Sequence, residues 1–139
     1  MNPHPVTASS LRLLYVEDNR LCALLFEEAI RMRGGVDIRL AEDSADALDQ
    51  LRDWRPDVLV IDGHLPGIDG FGLLDLLRRE PGLDSVPAFM CSADALPDDV
   101  DRAARAGFAG YWTKPIEIGR IMRDLDRVRT GLAAEAARA

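Results

Sequence analysis

The chain has 139 residues, 47% hydrophobic and 29% charged, with a formal net charge of −7 and two cysteines. That size suits one domain with a core that needs no staples, and the composition is that of an ordinary globular chain rather than a disordered one. The acidic balance argues against direct nucleic-acid binding; the apolar runs fall far short of the ~20 residues that span a bilayer, and no basic-then-apolar start marks a signal peptide, so a cytoplasmic setting is expected.

Residues 1–10 (MNPHPVTASS) hold two prolines among small polar residues and read as a flexible leader. Leu11–Val16 (LRLLYV) reads as a strand. Asn19–Arg33 carries Leu21, Leu25, Ala29 and Met32 at helical spacing, which predicts a helix with those residues inward. Gly34-Gly35 stops it. Val36–Leu40 alternates apolar and polar, as a half-exposed edge strand does. Ser44–Trp54 is predicted helical, with Ala47, Leu48 and Leu51 inward, until Arg55-Pro56 breaks it.

Asp57–Ile61 (DVLVI) is nearly all apolar and suits a strand buried on both faces. The stretch GHLPGIDG reads as a loop. Phe71–Arg79 is leucine-rich and helical, ended by Pro81-Gly82. Val86–Cys91 is a further buried strand. Asp98–Ala106 is a helix poor in large apolar residues, with Val100, Ala103 and Ala104 as its inward candidates. Ala109–Thr113 is a short strand. Ile116–Thr130 is the last helix, with Ile118, Ile121, Met122, Leu125 and Val128 inward. Residues 131–139 read as a tail, a helix extension or the start of a linker, leaving a domain over 11–130. Trp54 and Trp112 are read as packing residues. Cys22 and Cys91 lack metal-ligand spacing and are read as small buried hydrophobes.

Strict strand–helix alternation predicts an α/β fold: a doubly wound, five-stranded parallel sheet, (βα)5 and flavodoxin-like, with strand order 2-1-3-4-5. In such sheets ligands bind beyond the carboxyl ends of the strands. Those ends carry Glu17-Asp18, Asp62, Ser92 and Thr113-Lys114. Three carboxylates, a hydroxyl and an amine therefore converge on one rim. Oxygen-only ligands favour a hard cation, and Mg²⁺ is the natural one. Such a site suits a phosphoryl group: Asp62 can act as the nucleophile, Lys114 can offset the developing charge, and Ser92 can donate a hydrogen bond.

The segments YVEDN, VLVIDGHLPGIDGFGLL, MCSADA and GYWTKP together resemble the signature blocks of response-regulator receiver domains (the CheY-like domains of two-component signalling), from about Leu11 to about Thr130. The resemblance implies that Glu17 and Asp18 support Mg²⁺, that Asp62 is the phosphoacceptor and a metal ligand, and that His64 lends its backbone carbonyl. It implies that Ser92 is the switch hydroxyl, Tyr111 the switch aromatic and Lys114 the amine that meets the phosphoryl group. It also implies a cis Lys114-Pro115 peptide, and a tuning role for His64 and Asp94 in the lifetime of the phosphoryl group. Glu17 stands where aspartate is frequent, so its longer arm is expected to reach the metal through water.

The implied function is phosphorylation of Asp62 by a sensor histidine kinase or phosphotransfer protein. The surface of the fourth helix, fifth strand and fifth helix then changes and controls a downstream protein target or a homodimer. The domain would act only on itself and not be an enzyme with an external substrate. Three rival readings stand beside this one: a receiver that is part of a hybrid histidine kinase, a receiver-fold module that works without phosphorylation, and an aspartyl-phosphate phosphohydrolase. Against the last, the best nucleophile lies on the third strand and not the first.

Overall fold

The computed structural model describes residues 10–93 and 96–138. The leader up to residue 9 and Asp94 lie outside the described residues. Five parallel strands form the sheet: β1 (Leu11–Val16), β2 (Val36–Ala41), β3 (Val58–Asp62), β4 (Ala88–Ser92) and β5 (Gly110–Thr113), in the order β2-β1-β3-β4-β5. The order is the one predicted. The helices are α1 (Arg20–Arg33), α2 (Ser44–Gln50), α3 (Gly70–Arg78), α4 (Pro97–Ala106) and α5 (Ile118–Arg138).

Alternation along each strand sends side chains to two separate cores. On one face Leu14, Val16, Leu59, Ile61, Ala88, Met90 and Tyr111 pack with α2, α3 and α4. On the other Leu13, Tyr15, Val58, Val60, Phe89, Cys91 and Trp112 pack with Phe26 and Ile30 of α1 and Ile121 and Leu125 of α5. Both faces of the inner strands are thus covered, which explains their unbroken apolar runs.

Local chemistry sets the helix ends. Asn19 caps α1 by accepting from the Cys22 N–H (3.0 Å), Asp43 caps α2 through the Asp46 N–H (2.8 Å), and Asp69 caps α3 through the Gly72 N–H (2.8 Å). Gly107 ends α4 at φ 104°, a left-handed position where glycine carries no steric cost.

Several expectations need correction. In α1 the buried residues are Ala23, Phe26 and Ile30. Leu21, Leu25 and Met32 face outward, being 67%, 59% and 79% exposed. Two interleaved stripes satisfy the same helical period, and the aromatic stripe holds the core. Helix α2 stops at Gln50, and Leu51 and Trp54 are buried from the turn that follows. The stretch after Asp62 is a small antiparallel ribbon, His64–Leu65 against Ile68–Asp69, rather than an open loop. Of the three inward candidates on α4 only Ala103 is buried. Cys91 is buried but Cys22 is half-exposed. Of the readings for residues 131–139 the helix extension holds: α5 continues past Thr130, and Leu132 packs on the core beneath it. Among the described residues no helix is long and apolar enough to cross a membrane.

Candidate functional site

Glu17 follows β1 directly, Asp62 and Ser92 are the last residues of β3 and β4, and Lys114 follows β5. The sheet therefore delivers all four to one rim. Among the described residues, Glu17, Asp62 and Ser92 are the buried polar side chains, at 2%, 5% and 2% exposure. Asp18 is exposed beside them, and carboxylate oxygens of Glu17, Asp18 and Asp62 lie within 4.8 Å of one another. Three hard oxygen donors this close, open on the Asp18 side, fit a Mg²⁺ ion that keeps part of its water.

The amine of Lys114 is 2.5 Å from Glu17 Oε1 and 3.6 Å from Asp62 Oδ1. Its backbone N–H donates to the Ser92 carbonyl (2.9 Å), and the Lys114-Pro115 peptide is cis. The Asp62 carboxylate accepts from the His64 N–H (3.2 Å), while the imidazole of His64 is exposed.

The charges are unevenly shared. Burial pushes the Asp62 carboxyl up to about 6; hydrogen bonding and repulsion from Glu17 push the same way, against the His64 N–H and Lys114. Burial also works against a charged Glu17. Hydrogen bonds from Asp62, Lys114 and the Asn19 N–H outweigh it and hold Glu17 below its usual range. Burial would lower the Lys114 amine, but its bond to Glu17 and the negative charge of Asp62 hold it above its usual value.

Alternation also sorts the set. Glu17 and Asp62 continue the rows of Tyr15 and Val60 on the α1/α5 face. Ser92 continues that of Met90, and Tyr111 packs with Met90 and Phe108 in the core on the α4 face. Tyr111 is buried at 6% exposure. One residue of the site escaped sequence reasoning. The hydroxyl of Tyr15 donates to Glu17 Oε1 at 3.0 Å. The signal was available, since residues two apart on a strand share a face and a tyrosine there reaches the rim.

The chain matches the response regulator receiver domain family over residues 13–126. It is 36% identical over 139 residues to sensor histidine kinase AruS of Pseudomonas aeruginosa, covering 96% of this chain but only 14% of that much longer protein. It is 31% identical over 113 residues to the polar-differentiation response regulator DivK of Brucella anthropi, covering 81% of this chain and 91% of that one. Among solved structures it resembles the receiver domain of sensor histidine kinase PA1611 from Pseudomonas aeruginosa PAO1, which has a magnesium ion coordinated in its active site cleft. The TM-score is 0.76 at 27% identity, over 87% of this chain and 98% of that one.

Proposed function

The chain belongs to the response regulator receiver domain family, and from that membership we propose that it is a phosphorylation-dependent switch whose phosphoacceptor is Asp62. As a receiver domain it is not a conventional enzyme. An ionised Asp62 oxygen attacks the phosphorus of a phosphohistidine on a sensor histidine kinase or phosphotransfer protein. The O–P bond forms as the P–N bond breaks, and the imidazole leaves with the bonding pair and takes up a proton. Burial holds the metal-free Asp62 carboxyl up at about 6, and bound Mg²⁺ would favour the ionised form that attacks.

Glu17, Asp18 and Asp62, with the backbone carbonyl of His64, would hold Mg²⁺. Bound there, the ion supplies positive charge against the phosphoryl oxygens. The Lys114 amine turns from Glu17 to a phosphoryl oxygen, and the Ser92 hydroxyl follows to another. Because Ser92 and Tyr111 belong to the α4 face, their movement carries the change through the sheet to the α4–β5–α5 surface, which controls a downstream protein or a homodimer. The phosphoryl group need only favour the active arrangement by roughly a few kcal/mol.

The observation that carries this reading is the amine of Lys114 standing between two buried carboxylates at the rim. The test is Asp62→Asn with Mg²⁺ and a small phosphodonor. No stable label is expected, and labelling at the parent's rate would overturn the assignment. A second reading, that the domain serves within a hybrid histidine kinase, is favoured by the 36% identity to part of AruS. The length of the natural gene product tests it. A receiver working without phosphorylation would instead show no spectral response of the Mg²⁺-loaded protein to beryllofluoride.

A further inference from the structure

Tyr15 plays no part in the mechanism above, yet it is built into the site. Its ring is 1% exposed and packs in the α1/α5 core, tilted against Phe26 with centroids 4.4 Å apart. Only its hydroxyl reaches the rim, where it donates to Glu17 Oε1. The carboxylate of Glu17 is itself 1% exposed, so bulk water does little to solvate it. Its Oε1 accepts from the Tyr15 hydroxyl and the Lys114 amine, and its Oε2 accepts from the Asn19 N–H at 3.2 Å.

Phosphoryl transfer, on the reading of the preceding subsection, draws Lys114 away from this carboxylate. A buried charge that loses a cationic partner is costly unless other donors remain. The Tyr15 hydroxyl is such a donor, and its ring is locked by packing, so it stays behind when the lysine leaves.

We propose that Tyr15 is a positioning residue for phosphoryl transfer, holding Glu17 in place and sharing its charge so that Lys114 is released to the phosphoryl group. Without the hydroxyl, Glu17 would grip Lys114 harder. The inference rests on Asp62 as acceptor, and it concerns the first strand, away from the switch pair Ser92 and Tyr111.

The test is Tyr15→Phe, which removes one oxygen and keeps the ring. The maximal rate of labelling by a small phosphodonor with Mg²⁺ should fall about tenfold, as the loss of one hydrogen bond to a charged group allows. The donor concentration giving half that rate should move less than about twofold, because Tyr15 is remote from the donor. The affinity for beryllofluoride, followed by NMR, should fall with the rate. In a Glu17→Gln background the same substitution should cost nothing further, since Tyr15 acts through Glu17. A rate and affinity equal to the parent's, or a full loss that persists in that background, would overturn the proposal. A measurement on the parent needs no variant. A crystal structure of the Mg²⁺–beryllofluoride form should show Lys114 departed from Glu17 with Tyr15 still bonded to it, and a Tyr15 hydroxyl turned away from Glu17 would equally sink the idea. Failure of the acceptor assignment looks different: Asp62→Asn would then label as the parent does, whatever stands at position 15.

Discussion

Helices α3 and α4 cover the same face of the sheet, and they are held there very differently. Helix α3 buries Gly70, Leu73, Leu74 and Leu77. Helix α4 buries Ala103 alone, and its neighbours Leu96 and Val100 are 66% and 39% exposed. At roughly 25 cal/mol per Å² of apolar surface, three leucines outweigh one alanine several-fold. What else ties α4 down is the guanidinium of Arg102, 4.0 Å above the ring of Phe71, and the edge-on packing of Phe71 on Phe108. The rim joins the two regimes, because Asp62 leads through the small ribbon into α3 while Ser92 leads toward α4. On the proposed function, the fixed helix steadies Asp62, and the loosely held one is free to answer it.

The sharpest way to break this contrast is truncation on both sides. Leu77→Ala should cost about 3 kcal/mol by urea denaturation, as deep leucine truncations do. Ala103→Gly should cost about 1 kcal/mol, most of it helix propensity. Equal losses would mean that α4 is anchored as firmly as α3.

A second expected effect concerns the acceptor. A carboxyl whose folded pKa lies above its unfolded one binds its proton more tightly in the native state, so stability falls as pH rises between the two values. With Asp62 pushed up to about 6, the metal-free parent should lose stability from about pH 4 to about pH 6. Asp62→Asn should flatten that part of the profile and be the more stable protein at pH 7, by up to about 3 kcal/mol. An unchanged slope in thermal melts would show that Asp62 carries no such burden. The smallest effect is at the contact of Arg102 with Phe71. Arg102→Ala should weaken protection of the α4 amides in hydrogen exchange by about 0.5–1 kcal/mol and leave α3 amides alone.

Much of this was legible in the sequence because the signals were redundant. Five apolar runs separated by helical stretches admit few topologies, and polar residues at four strand ends left one rim for the site. The misses have physical reasons. In α1, Leu21, Leu25 and Met32 keep the same period as Ala23, Phe26 and Ile30, and only the tertiary fit decides which stripe turns inward. The ribbon after Asp62 has two-residue strands, too short for any alternation to show. Tyr15 lay inside an apolar run and looked like core, which its ring is. Its hydroxyl became part of the site only once the position of Glu17 in space was known.

Gly63, next to Asp62, has a consequence of its own. A Cβ there would stand 3.1 Å from Ser92 Oγ and 3.2 Å from Ser92 Cβ. On the proposed switch, the missing side chain is clearance for Ser92, and even a methyl group would ask it to give way by a few tenths of an ångström. If Ser92 closes as proposed, the smallest residue in the site sets its free travel.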